Sequence, residues 1–216
     1  MIAEPSKLSV EDFVDLLHQL DAFIGSKNPE LQLDIKAIGG FSMMYHEKET
    51  SLKMLRKGSS DIDTLTMLPK QVATMVDIIA TNNGVSPDWL NNRWFADNEY
   101  HEELEPYIVW KDSGFKFDHI NLKIADLEGL FLLKARSVCD AIEFSGYPND
   151  KGKLQNELRT QDVMDLISIL RFFGESDLEN LQHLARRTDL PGYDLLAQYF
   201  ANQGFWTRDS SCRSRC

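Results

Sequence analysis

Two aspartates one residue apart, Asp61 and Asp63 in "SSDIDTLT", sit in a run that otherwise reads as a β-strand. Side chains at i and i+2 of a strand point to the same side, roughly 6–7 Å apart. Two like charges held that way repel each other unless a cation joins them. Paired carboxylates suit a hard ion such as Mg²⁺, which keeps waters and takes substrate phosphates as its remaining ligands. Ions held so clamp the attacking and leaving oxygens of phosphoryl or nucleotidyl transfer. Upstream, Gly39 and Gly40 fall between a strand pattern and a helix pattern, with Ser42 close behind. Glycines let a backbone approach a phosphate, and helix N-terminal N–H groups point at it. Each feature alone has a plainer reading: a solvated strand end for the aspartates, a turn for the glycines.

The elements that must position these groups follow from local pattern. Ser9 and Asp12 form a capping-box start, and Phe13, Leu16, Leu17, Leu20, Phe23 and Ile24 make an apolar helical stripe expected to stop at Gly25. "LQLDIKAI" alternates as a strand and runs into the glycine pair, after which "FSMMYHEK" reads as a short helix. "SDIDTLTM" is a second strand. Pro69 opens the helix "PKQVATMVDIIATNN", which Gly84 stops. "YIVW" and "FKFDHINLKIA" are strand candidates joined through the turn "KDSG". From Asp126, read as a helix N-cap, the pattern is helical throughout. The order predicts an α+β fold: a small mixed sheet flanked by helices, then a helical C-terminal part. The expected division is a core over residues 1–125, a helical part over 126–206 and a tail over 207–216.

Composition narrows the function classes. The 216 residues are 43% hydrophobic, ample for a packed core. With 23 basic against 34 acidic residues the net charge is -11, which disfavours broad nonspecific wrapping of nucleic acid. No apolar run approaches the ~20 residues of a membrane span. "MIAEPSKLSVEDF" lacks the layout of a signal peptide, and three cysteines fit no zinc spacing, so the expectation is a cytoplasmic chain with reduced thiols. Cys139 reads as a small buried hydrophobe. The histidines are scattered without metal-ligand spacing. "WLNNRWF" reads as a short helix-like piece of core or lid edge, and the acids from Asp97 to Glu105 as a solvated loop.

The glycine pair followed by D-x-D on the next strand resembles the signature of the nucleotidyltransferase superfamily, and more nearly its bacterial abortive-infection and toxin–antitoxin branch. In that branch a basic residue and a hydroxyl residue precede the first aspartate; Lys57 and Ser59 stand here where Arg and Thr are usual. A second block resembles the branch too. "LFLLKARSV" supplies Lys134, and "RTQDVMDL" supplies Arg159, Asp162 and Asp165, with Gln161 before Asp162 where an adjacent Arg-Asp pair is usual. The resemblance covers about residues 33–170.

The resemblance implies a metal site at Asp61 and Asp63 with Asp118 as a third carboxylate, and nucleotide contacts at Gly39, Gly40, Ser42, Lys57, Ser59 and Arg159. Asp61, Asp63, Lys134 and Asp162 would carry catalysis. Lys134 would meet a triphosphate while Asp162 holds it or activates an acceptor hydroxyl; alternatively the two form an ion pair that only orients helices. The cofactor implied is Mg²⁺, and the partners an NTP, an RNA or protein acceptor and a cognate antitoxin. Two other readings stay open: a non-catalytic nucleotide- or protein-binding domain, and a small-molecule nucleotidyltransferase of the antibiotic-modifying kind.

Overall fold

The computed structural model describes residues 7–55, 58–93, 104–143, 160–173, 183–186 and 192–202. It divides into two compact units, Met1–Leu130 and Phe131–Cys216. The chain is α+β: the first unit holds a five-stranded mixed sheet, and the described residues of the second are helical. No helix among the described residues is long and apolar enough to cross a membrane.

Helix α1 (Val10–Lys27) begins with the full capping box, Ser9 and Asp12 satisfying each other's backbone N–H. It does not stop at Gly25 but runs on to Lys27, with Asn28 as C-cap. Gly25 serves packing instead: a Cβ there would stand 2.8 Å from His119 Nε2. The strand β1 (Leu33–Ile38) feeds directly into α2 (Gly39–Glu49), and β2 (Ile62–Thr64) returns antiparallel beside it, Ile38 opposite Asp63. Helix α3 (Lys70–Asn83) follows Pro69 and ends at Gly84, whose φ of 66° is the left-handed cap that glycine adopts without steric cost.

Three further strands complete the sheet: β3 (Leu90–Asn91), β4 (Trp110–Asp112) and β5 (Ile120–Ala125), in the order β3-β2-β1-β5-β4. The segment read as helix-like is therefore partly strand. Trp89 before it is fully buried, and its indole N–H donates to the Val76 carbonyl at 3.2 Å. β4 and β5 pair antiparallel as expected of a hairpin, but the connection is longer than "KDSG" because β5 starts only at Ile120. Asp21 of α1 explains that start. It accepts the backbone N–H groups of His119 and Asp118 at 2.7 and 3.1 Å, holding the chain at the entry to the strand.

Strand parity gives the sheet two unlike faces. Leu33, Ile35, Ala37, Ile62, Leu90, Ile120, Leu122 and Ile124 share one, and with Phe13, Leu17, Leu20 and Ile24 of α1 and Val72, Val76 and Ile79 of α3 they form the core. Asp34, Lys36, Asp63, Asn91, Asn121 and Lys123 line up on the other.

The second unit begins within α4 (Leu127–Glu143) and includes α5 (Thr160–Phe172) and α6 (Tyr193–Asn202). Asp126 is the N-cap of α4, accepting the Gly129 N–H at 2.9 Å. Cys139 is buried and its thiol donates to the Gly192 carbonyl at 3.3 Å; burial above all pushes it up to about 12. Cys212 and Cys216 lie outside the described residues.

Candidate functional site

The polar face has a mouth where β1 ends. Ile38 is the last residue of β1, Asp63 lies directly across from it on β2, and Asn91 lies beside Asp63 on β3. Gly39 opens α2 at a φ of 67°, and a Cβ on it would collide with the carboxylate of Asp63. Glycine is thus doubly required, by its backbone angle and by the closeness of that carboxylate. The strand-to-helix switch brings Gly39, the first residue of α2, to Asp63.

Asp61, half-buried just before β2, is gripped by neutral groups. Ser59 and Ser60 donate their hydroxyls to Oδ1 at 3.3 and 3.4 Å, and Asn91 Nδ2 reaches Oδ2 at 3.5 Å. Among the described residues no cation is bonded to it, and these neutral donors orient the carboxylate. Ser59, the hydroxyl residue before the first aspartate, thus bonds Asp61 directly. Ser42 is fully buried in the first turns of α2, and among the described residues its hydroxyl has no hydrogen-bond partner. An unsatisfied buried hydroxyl has a cost on the order of 1–3 kcal/mol, which a ligand oxygen reaching it would offset.

Asp118 does not belong to this mouth. β1 and β5 run parallel with Leu33 beside Ile120, so Asp118 sits where these strands begin, while Asp63 sits where β1 ends. Its side chain is exposed and lies before β5 rather than in it. Among the described residues no group of three or more His, Cys, Asp or Glu side chains is placed to hold a metal. The donor set at the mouth is two carboxylates. That set suits Mg²⁺, which is commonly held by one or two carboxylates plus substrate phosphates rather than by an all-protein cage.

Lys36 occupies the polar face one pleat further in. It forms an ion pair with Glu105 and stands 5.5 Å from the centre of the Trp110 ring. Glu105, taken from sequence as part of a solvated acidic loop, is instead tied to the sheet. Nothing local in the sequence links residues so far apart. Lys57 and Arg159 lie outside the described residues, as do Trp94 and Phe95.

In the second unit the structure brings together the residues of the other block. Lys134 Nζ lies 2.6 Å from Asp162 Oδ1 and 3.1 Å from Asp165 Oδ2, and Ser137 donates to Asp162 Oδ2 at 3.3 Å. Asp162 and Asp165, at i,i+3 on α5, share a face as their spacing predicts. A separate pair, Arg136 and Asp140 at 2.9 Å, lies along α4; burial chiefly raises the Asp140 carboxyl above its ordinary range.

Comparison of this chain with family models, with curated proteins and with solved structures gives no match.

Proposed function

We propose that this chain is a nucleotidyltransferase-like protein that uses Mg²⁺ to transfer a nucleotide from an NTP to an RNA or protein hydroxyl. On this reading it acts in the cytoplasm as the toxin-like component of a bacterial toxin–antitoxin or phage-defence pair, with the cognate antitoxin as partner. The observation that supports it most is the mouth of the sheet: Asp63 is packed against Gly39 at the start of α2, with Asp61 held by neutral donors beside it. Those are the parts that binding a metal-bound triphosphate requires, an acidic pair adjoining a helix N-terminus whose glycines admit a phosphate.

In this proposal Asp61 and Asp63 are the cation ligands. The N–H groups of Gly39 and Gly40 and the Ser42 hydroxyl receive phosphate oxygens. Mg²⁺, when bound, supplies positive charge against the triphosphate. Within the second unit Asp162 orients the Lys134 ammonium, the pair to which the resemblance assigns a part in catalysis.

One observation favours a second reading, a non-catalytic binding domain. Lys134 is engaged by two carboxylates that are themselves nearly removed from solvent, an arrangement sufficient to explain all three residues structurally. The discriminating experiment incubates the chain with each labelled NTP, Mg²⁺, total RNA and cell lysate. Label on RNA or protein is the expected result. Label only in small molecules would favour an antibiotic-modifying type of transfer, and no label anywhere would favour the binding domain.

A further inference from the structure

We propose that Asn91 is a positioning residue for Asp61, fixing the carboxylate as a cation ligand; this rests on the cation-site reading of the mouth given above. The sequence offers no hint of it, because Asn91 is separated from the aspartates by the whole of α3.

The side-chain amide of Asn91 is locked by partners of fixed chemistry. Its Oδ1 accepts the Arg93 backbone N–H at 3.1 Å, a group that can only donate. Its Nδ2 donates to the Asp88 carbonyl at 3.1 Å, a group that can only accept. The orientation of the amide therefore follows from the backbone, and its second N–H is left for Asp61 Oδ2 at 3.5 Å. An ion pair between Arg93 and Asp88 at 2.6 Å closes the same turn.

The placement is costly for ordinary purposes. Asparagine is depleted in strands, and this one is buried on a two-residue edge strand. A Val or Thr would serve the strand better. Asparagine brings a neutral donor to the carboxylate that Ser59 and Ser60 hold from its other oxygen. A Lys or Arg there would neutralise Asp61 and compete with a cation; a carboxamide orients it and leaves the charge available. Outer partners of this kind fix metal-bound carboxylates elsewhere, and losing one typically lowers metal affinity 10–100-fold.

The test uses the full chain and Mn²⁺ as a spectroscopic stand-in for Mg²⁺, with binding read by electron paramagnetic resonance. Asn91→Ser keeps a short oxygen able to accept the Arg93 N–H but cannot reach Asp61. It should weaken Mn²⁺ binding about 10-fold or more. A residue that only closed its turn would change melting temperature and leave Mn²⁺ affinity as it was. Asn91→Ala is the second variant, compared at a temperature where circular dichroism shows it folded. Unchanged Mn²⁺ affinity in both, with Asp61→Asn abolishing binding, would overturn the role of Asn91 and leave the cation site standing. Mn²⁺ binding that Asp61→Asn does not alter, or none in the wild type, would end both.

Discussion

Lys134 Nζ and Asp162 Oδ1 stand 2.6 Å apart with side chains only 14% and 10% exposed. Asp165, more deeply buried, sits 3.1 Å from the same ammonium. Removing the lysine therefore takes the ammonium from two carboxylates in a poorly solvated place. Lys134→Ala should destabilise the chain by roughly 3–5 kcal/mol in urea unfolding. Lys134→Ala/Asp162→Ala should recover part of that and not all, since Asp165 loses the same ammonium. If the lysine also meets phosphate, the single mutant loses triphosphate binding more than monophosphate binding. Full recovery in the double mutant with nucleotide binding never affected would remove Lys134 from the functional site.

Gly39 and Gly84 offer a matched comparison. Both have φ near +66°, but a Cβ on Gly84 meets nothing within 4 Å, whereas one on Gly39 collides with Asp63. Gly84→Ala should cost about 1–2 kcal/mol, the backbone strain alone. Gly39→Ala should cost more and also displace the carboxylate, so that nucleotide binding falls in that variant only. Equal losses of stability, with binding intact in both, would show that the contact with Asp63 is dispensable.

Asp63→Asn removes one of two neighbouring like charges. The near-isosteric amide should keep the fold, while Mg²⁺-dependent nucleotide binding is lost. Isothermal titration with and without Mg²⁺ checks the binding, and calorimetry the fold. A large drop in melting temperature would mean that the carboxylate chiefly supports the fold around Gly39.

Two buried groups give stability opposite pH slopes. His46 donates through Nε2 to the Ala125 carbonyl at 2.8 Å, and burial above all lowers its pKa below the ordinary 6.5. Its contribution is fully present above 6.5 and is lost as pH falls toward the lowered value, because the unfolded chain binds the proton first. Cys139 is raised from 9.0 to about 12, so its contribution is present below 9.0 and lost as pH rises to about 12. Stability curves against pH for His46→Gln and Cys139→Ala should be flatter than wild type on the acid and alkaline sides respectively. Parallel curves on either side would show that the group in question does not drive the slope.

Several features were legible in sequence because they depend on residues within a turn or two of each other. The Ser9–Asp12 capping box, the Gly84 stop, the Asp126 cap and the alternation of β1 and β5 are of this kind, and each forms as expected. So is the switch from β1 into Gly39-Gly40, which carries the glycines to the strand end. Other features depend on which strands become neighbours, and local pattern does not encode that. The parallel pairing of β1 with β5 leaves Asp118 at the wrong end of the sheet, although its composition and spacing suited a metal ligand. Gly25 looks like a helix stop in a one-dimensional reading; only the approach of His119 makes it a packing residue. Asn91 and Glu105 gained their partners Asp61 and Lys36 in the same way, across intervals of 30 and 69 residues. Periodicity reports the face on which a side chain lies. Tertiary pairing alone decided what stands opposite it.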